Sequence, residues 1–266
     1  MMRSVVEALD YDKARQLITS FIREYVERAG ARGVVLGLSG GVDSTVAAAL
    51  AVEALGSGRV LGLIMPSAFT PKEDVDDAVK VGERLGIATR LIDIQPVADA
   101  FAKAIPDFAP GERLAFGNLL PRIRMAMLYY YANKDNLLVL GTSDRSELLL
   151  GYFTKYGDGG SDLIPIGSMY KLQVRELARR LGFGWVAQKA SSPRLWHGHT
   201  AEGELGAPYE VIDEVLYAVF DLKTPVEEVR RRFGEVADMV VTRVRRNLHK
   251  LQPPPAPDLS PARRDV

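Results

Sequence analysis

The sequence contains no cysteine and only three histidines among its 266 residues. The lack of cysteine excludes a disulfide framework, a thiolate zinc site and a cysteine nucleophile. Three histidines are too few to favour a structural zinc site. An excess of one charge is also missing, because 34 Lys and Arg residues balance 34 Asp and Glu residues. We therefore expect no broad surface for binding nucleic acid.

Long apolar runs are absent as well. No segment of the sequence approaches the roughly 18 uncharged apolar residues of a membrane-spanning helix, and residues 1–10 lack an apolar signal core. With 47% apolar and 26% charged residues, the composition is typical of a globular protein. We expect a cytoplasmic protein with no membrane partner.

Short apolar runs alternate with amphipathic segments through the first half of the chain. The runs predict buried strands at 34–38, 60–65, 89–94 and 136–141. Helical spacing predicts helices at 9–29, 43–55, 70–86 (with Thr70 as N-cap of a capping box), 95–105 and 118–133. This alternation indicates an α/β fold, in which an open parallel sheet carries helices on both faces in a Rossmann-like three-layer arrangement.

The second half of the chain follows another pattern. Helices are predicted at 171–181, 208–220, 225–234 and 235–247, with polar loops at 106–117, 151–168 and 190–208. We interpret residues 1–252 as a single domain. Residues 253–266 contain five prolines and are expected to form a flexible tail.

The strongest chemical signal is the string Ser39-Gly40-Gly41-Val42-Asp43-Ser44. It follows a predicted strand and begins a predicted helix, where main-chain N–H groups converge on an anion. The glycines permit a tight turn, the serine hydroxyls add donors, and Asp43 indicates Mg²⁺ between a carboxylate and a phosphate. The alternative is an ordinary strand–turn–helix with Ser and Asp as caps. The string matches neither a Walker loop nor a G-x-G-x-x-G dinucleotide loop.

This string resembles the pyrophosphate loop of the N-type ATP pyrophosphatases. Gly141–Glu147, Tyr152–Asp162 and Arg246–Lys250 narrow the resemblance to the NAD synthetases, over about residues 10 to 254. The run Phe-Thr-Lys-Tyr-Gly-Asp-Gly-Gly is its most specific part. The resemblance implies that ATP adenylates the nicotinate carboxylate of deamido-NAD (nicotinate adenine dinucleotide) with loss of pyrophosphate. Ammonia then displaces AMP to give NAD.

The resemblance also implies roles for individual residues. Asp43, Lys171 and Asp158 would be catalytic, and Asp43 and Glu147 would hold Mg²⁺. ATP would be bound by Gly37, Leu38, Ser39, Gly40, Gly41, Val42, Asp43, Ser44, Thr142, Lys171 and Ser192. Ser191 stands where the family usually has proline, which is a departure beside Ser192.

Deamido-NAD would be bound, by the same resemblance, by Arg122, Lys155, Asp162, His249 and Lys250. Arg124 competes with Arg122 for the anionic part of the substrate, since either guanidinium can bind phosphate or carboxylate through two hydrogen bonds. Taken alone, Lys155 and His249 are more simply interpreted as a loop-surface lysine and an exposed helix-end histidine. For Lys171, a solvated lysine at a helix start and a triphosphate contact are equally good interpretations. Asp158 could position the nicotinate carboxylate or a further metal.

The resemblance further implies a homodimer, with the 118–133 helix near the two-fold axis and Arg122 in its own or the partner's site. Because the chain has no cysteine for a glutaminase, free ammonia is the expected nitrogen donor, unless a separate glutaminase associates with the chain. The loops at 106–117 and 190–208 are candidate lids.

Two other functions remain open from the sequence. A tRNA-modifying ATP pyrophosphatase would be expected to show a basic surface, which the balanced composition does not indicate. A nucleotide-binding sensor without turnover would not need Asp43, Glu147 and Lys171.

Overall fold

A computed structural model describes residues 4–109 and 111–262. Its strands are β1 (Gly33–Gly37), β2 (Val60–Ile64), β3 (Ala88–Leu91) and β4 (Leu137–Val139). Its helices are α1 (Tyr11–Arg28), α2 (Val42–Leu55), α3 (Lys72–Leu85), α4 (Gln95–Ala104), α5 (Arg113–Asp135), α6 (Arg145–Leu150), α7 (Lys171–Arg180), α8 (Gly184–Ala187), α9 (Ala201–Leu205), α10 (Tyr209–Leu216), α11 (Val226–Phe233) and α12 (Glu235–Asn247). Of these elements, α6, α8 and α9 were not predicted.

The four strands form one parallel sheet in the order β3-β2-β1-β4. Strand β1 is central, with Val34 paired beside Val60 of β2 and Leu138 of β4. The chain therefore leaves β1 in one direction to reach β2 and later returns to the opposite side for β4. Ligands of open α/β sheets bind at the carboxyl ends of strands at such a switch point.

The two faces of β1 enter different cores, because successive side chains of a strand point to opposite faces. Val34 and Leu36 pack into a core that contains buried residues of α1, α2, α3 and α7. Val35 packs into a second core with residues of α4 and α5. A third core contains buried residues of α9, α10, α11 and α12. The predicted three-layer α/β fold is confirmed.

The helix predicted over 118–133 corresponds to α5, whose observed start lies earlier in the chain. Gly117 was assigned to a loop, but it lies within α5, which begins at Arg113. A Cβ atom at Gly117 would lie 3.0 Å from Cβ of Leu195, so the glycine allows a later loop to pack closely on the helix. Pro110, in the same predicted loop, lies outside the described residues.

Other local predictions need correction. Helix α3 is capped by Pro71 rather than by Thr70, whose hydroxyl instead accepts a hydrogen bond from the Ser67 amide at 3.0 Å. Helix α6 begins with a capping box formed by Asp144 and Glu147, a pattern visible in the sequence. Helix α9 interrupts the loop that was predicted over 190–208.

The tail lies beyond α12. Residues 253–259 form neither helix nor strand, and a short 3-10 turn follows at Ser260–Ala262. The final residues of the predicted tail, 263–266, lie outside the described residues. Within the described part of the chain, none of the helices combines the length and the apolar character needed to cross a bilayer.

Candidate functional site

The glycine-rich turn joins β1 to α2 at the centre of the sheet. The hydroxyl groups of Ser39 and Ser44 lie 3.0 Å apart, and the Ser44 hydroxyl accepts a hydrogen bond from the Ser39 amide at 3.2 Å. Gly40 has a φ of 75°, and a Cβ atom there would lie 2.2 Å from the Asp74 carbonyl oxygen. Only glycine fits this position, so the turn can bring main-chain amides to the first turn of α2.

A fully buried lysine lies behind this turn. Nζ of Lys171 is 2.7 Å from Oδ2 of Asp43, 2.9 Å from Oδ2 of Asp144 and 2.9 Å from Oε1 of Glu147. We call these four residues the carboxylate cluster. The three acidic residues stand at the N-termini of α2 and α6, where helix dipoles favour negative charge. Lys171 begins α7, so packing of three helices assembles the cluster.

Burial and mutual charge shift the protonation of the cluster. Burial raises the pKa of Asp144 to about 6, although the Lys171 ammonium opposes this shift. The pKa of Glu147 is raised well above its ordinary value, again by burial. Burial lowers the pKa of Lys171, but the three carboxylates outweigh this effect and raise it well above its usual range. Lys171 is therefore a fixed positive charge at neutral pH.

The carboxylate cluster has the charge to bind a divalent cation, and Asp43 offers it an oxygen that has no partner in the described part of the chain. Three carboxylates and one ammonium leave two negative charges when all are ionised. Asp43 and Glu147 line the cleft, and Oδ1 of Asp43 is buried without a hydrogen-bond partner among the described residues. No set of three metal-ligating side chains is preformed within residues 4–109 and 111–262. Mg²⁺ fits such a site, because it is commonly held by one or two carboxylates plus phosphate oxygens and water.

A further carboxylate supports the cluster from the C-terminal helices. Asp213 of α10 accepts hydrogen bonds from the Ser146 hydroxyl at 2.6 Å and from the Leu172 amide at 2.8 Å. Ser146 in turn accepts a bond from the Lys171 amide at 2.9 Å. Burial raises the pKa of Asp213 to about 7. The contact between Ser146 and Asp213 was not predicted from the sequence, because 67 positions separate the two residues and no local pattern links them.

These groups open into one cleft of about 490 Å³ at the carboxyl ends of the strands. Many of the residues that the sequence predicted for ATP and metal binding line it: Gly37, Leu38, Ser39, Gly41, Val42, Asp43, Ser44, Thr142, Glu147 and Ser192. Gly40 and Lys171 are not among the lining residues, because Gly40 packs on α3 and Lys171 lies beneath the carboxylates.

Two of the residues predicted for the second substrate or for catalysis also line the cleft. Asp158 accepts a hydrogen bond from the Thr154 amide at 2.8 Å, and burial raises its pKa. Nζ of Lys250 donates to the carbonyl oxygens of Gly151 at 2.7 Å and Phe153 at 3.0 Å. Burial lowers the pKa of Lys250.

Arg122 and Arg124 have different environments. Arg124 lines the cleft and donates to the Met65 carbonyl oxygen at 3.0 Å, and burial lowers its pKa to about 10. Arg122 is exposed outside the cleft wall and donates to the Lys155 carbonyl oxygen at 3.3 Å. Within a single chain, Arg124 is the better placed of the two guanidinium groups.

Lys155 and His249 lie together outside the cleft wall, since Nζ of Lys155 donates to the His249 carbonyl oxygen at 3.1 Å. Arg122 joins them through its bond to Lys155. Asp162 is tied to the sheet, where it accepts bonds from the Val139 amide at 2.7 Å and the Tyr129 hydroxyl at 3.1 Å. The structure thus brings Arg122, Lys155 and His249 together beside the cleft.

The chain is similar in sequence to one family of known proteins over most of its length. The family model described as NAD synthase matches residues 14–254. A protein of Pyrobaculum aerophilum named NH(3)-dependent NAD(+) synthetase is 70% identical over 262 residues, covering 98% of each chain. One of the same name from Aeropyrum pernix is 52% identical, over 94% of this chain and 90% of the relative.

Two solved structures of similar length share the fold. NMN synthetase from Francisella tularensis superposes with a TM-score of 0.84 at 33% identity, over 94% of this chain and 99% of the other. An NH3-dependent NAD synthetase from Campylobacter jejuni gives a TM-score of 0.78 at 34% identity, over 94% of this chain and 100% of the other.

Proposed function

This chain belongs to the NAD synthase family, and from that membership we propose how its own residues carry out the reaction. The chain catalyses the ATP-dependent amidation of deamido-NAD to NAD with ammonia. In the proposed course, a nicotinate oxygen attacks the α-phosphorus of ATP and pyrophosphate leaves. Ammonia then attacks the acyl-adenylate carbonyl carbon, and AMP departs. No protein side chain needs to become covalently attached.

ATP lies with its phosphates on the turn from Gly37 to Ser44. The amides at the start of α2 and the hydroxyls of Ser39 and Ser44 supply donors for the phosphate oxygens. Thr142 and Ser192 contact the nucleotide from the other sides of the cleft. The close packing of Gly40 against α3 supports this assignment, because it holds the turn at the start of α2, beside the cleft.

Asp43 and Glu147 hold Mg²⁺ at the mouth of the cluster. When bound, Mg²⁺ supplies positive charge that neutralises phosphate oxygens of the leaving pyrophosphate. The unpartnered Oδ1 atom of Asp43 supports this proposal. Lys171 keeps both carboxylates pointed at the cleft and lowers their mutual repulsion. A direct contact between Lys171 and the triphosphate stays a prediction from the sequence.

Deamido-NAD occupies the remaining part of the cleft and the surface beside it. Asp158, Lys250 and Arg124 line the cleft there, and Asp158 positions the nicotinate carboxylate end. A cleft of about 490 Å³ has the size of a site for one ligand, so two nucleotides would extend beyond it. Arg122, Lys155 and His249 then contact the outer part of the dinucleotide, and Asp162 holds their loop against β4.

The chain acts as a homodimer. Exposed apolar side chains on α1 and α5 support this proposal, namely Leu17, Phe21 and Tyr130. Leu17 and Phe21 lie one helical turn apart on α1, and exposed apolar patches mark sites of protein association. A second copy beside α5 would also lie next to the exposed Arg122, so the arginine could serve either subunit's site.

The observation that carries the assignment is that Lys171 holds Asp43, at the exit of the glycine-rich turn, and Glu147 together at the cleft. Purified protein should form NAD and AMP only when ATP, deamido-NAD, ammonium and Mg²⁺ are all present. Asp43→Asn should lower kcat/KM by roughly 10²-fold or more, the scale for losing charge stabilisation at a reacting phosphate. NAD formation at the parental rate by this variant would refute the assignment.

A further inference from the structure

The segment Lys189–Leu195, which we call the cleft loop, carries Ser192 and lines the nucleotide cleft. Two of its cations bind the same carboxylate of α3. Nζ of Lys189 lies 2.7 Å from Oδ1 of Asp74, and Nε of Arg194 lies 2.8 Å from Oδ2. Both oxygens of Asp74 are therefore occupied by cations that flank Ser192.

These ion pairs differ from ordinary surface pairs. Asp74 is buried, and Asp77 adds a second carboxylate 2.6 Å from Nζ of Lys189. Two cations thus meet two carboxylates in a shielded, electrically balanced group. Solvent and salt screen such a group less than an exposed pair, so it can hold a loop in one position.

The main chain of Asp74 lies against the glycine-rich turn, which also borders the cleft. Its carbonyl oxygen occupies the place that a Cβ atom at Gly40 would need, at 2.2 Å. One residue therefore contacts the glycine-rich turn through its backbone and the cleft loop through its side chain. The distance between the glycine-rich turn and the cleft loop, which both line the proposed ATP site, depends on this residue.

We propose that Asp74 is a positioning residue for ATP binding, and this inference rests on the ATP site proposed above. Its carboxylate fixes Lys189 and Arg194, and they hold Ser192 in the cleft that the glycine-rich turn also lines. Without the carboxylate the cleft loop loses its attachment to α3. ATP binding then weakens, while the groups around Asp158 keep their places.

The test compares Asp74→Asn with the parental enzyme in steady-state assays of NAD formation. The substitution preserves volume and removes the charge. The KM for ATP should rise about tenfold or more, the scale for a misplaced positioning group. The kcat at saturating ATP and the KM for deamido-NAD should each change by less than about threefold. Asp76→Asn, which alters an exposed pair with Lys72 on the same helix, should leave all three constants unchanged.

Two results would overturn the proposal. An unchanged KM for ATP in Asp74→Asn would show that the ion pairs do not position the nucleotide. Equal losses in all three constants would show that Asp74 maintains the fold in general. An inactive parental enzyme would instead refute the proposed function, so the two failures are distinguishable.

A double-mutant cycle that combines Asp74→Asn with Arg194→Gln provides a second check on how Asp74 acts. If Arg194 acts through Asp74, Arg194→Gln alone should raise the KM for ATP. The KM of the double variant should then be no higher than that of the single variant with the higher KM. Multiplying effects would show that Arg194 acts without Asp74 and would overturn the proposal.

Discussion

Nζ of Lys171 lies 2.7 Å from Oδ2 of Asp43, although 128 positions separate the two residues in the chain. The contact joins the first residue of α7 to the first turn of α2, across the carboxyl ends of the strands. It places a buried positive charge directly behind a carboxylate that faces the cleft. Two further carboxylates complete the arrangement, and its energetics lead to the first prediction.

Lys171→Met should destabilise the protein, because it leaves Asp43, Asp144 and Glu147 without their common counter-charge. We expect the free energy of unfolding in EDTA to fall by about 3–5 kcal/mol, the usual cost of breaking a buried ion pair. Mg²⁺ should restore part of the loss, since a bound cation stabilises the folded state. Urea denaturation with and without Mg²⁺ measures both effects.

The matched control is Lys72→Met, which removes an exposed pair with Asp76. Surface pairs contribute about 1 kcal/mol or less, so this variant should unfold almost like the parental protein. Similar losses in the two variants would contradict the role assigned to Lys171.

Asp213→Asn should change how stability depends on pH. Burial raises the pKa of Asp213 to about 7, whereas the same group in the unfolded chain titrates near pH 4. Between these pH values the folded protein therefore binds more protons than the unfolded chain. The contribution of Asp213 to the free energy of unfolding consequently falls as pH rises. The free energy of unfolding should decline with pH from pH 4 to pH 7 in the parental protein. In the variant this decline should be shallower by up to about 1 kcal/mol per pH unit.

The exposed Asp238, which pairs with Arg230, provides the comparison for this pH series. Asp238→Asn should leave the slope between pH 4 and pH 7 as it is in the parental protein. If Asp213→Asn also kept the parental slope, the buried carboxyl group would not have the raised pKa.

Gly40→Ala should weaken ATP binding and stability together. The backbone at Gly40 has a φ of 75°, which costs an L-residue about 1–2 kcal/mol, and the new Cβ atom would meet the Asp74 carbonyl oxygen. The glycine-rich turn must then move away from α3. Titration calorimetry with a non-hydrolysable ATP analogue and thermal unfolding should both show the change.

Gly58→Ala serves as the matched glycine control, because a Cβ atom there would meet nothing within 4 Å among the described residues. It should bind the analogue with the parental affinity. Equal affinities for Gly40→Ala and Gly58→Ala would mean that the turn does not hold the phosphates.

Phe21→Glu should disrupt the proposed homodimer. Phe21 is 41% exposed on α1, next to Leu17, which is 62% exposed. A charge buried against a partner copy has no counter-charge and is strongly unfavourable. Light scattering after size exclusion should give the mass of a single chain for the variant and of two chains for the parental protein.

Leu259→Glu changes a more exposed apolar residue in the tail and should leave the mass at two chains. A Phe21→Glu protein that still had the mass of two chains would place the interface on another surface.

The sequence alone was sufficient for the order of the layers. Short apolar runs that alternate with amphipathic segments can bury their surfaces only in a parallel sheet with helices on both faces. Local periodicity missed α6 and α9, which are only 6 and 5 residues long. Such short helices offer too few turns for a periodic signal, although the capping pattern at Asp144 and Glu147 was legible.

The candidate site likewise contains residues that the sequence alone indicates and residues that only the tertiary structure brings together. The glycine-rich turn and Asp43 are contiguous in the chain, so their chemistry could be predicted from adjacent residues. Asp74, Asp213 and the ion pair between Asp144 and Lys171 could not, because each of these contacts joins residues that are distant in sequence and become neighbours only when helices pack. Local structure follows from neighbouring residues, whereas burial, charge balance and pKa depend on which distant groups the fold brings together.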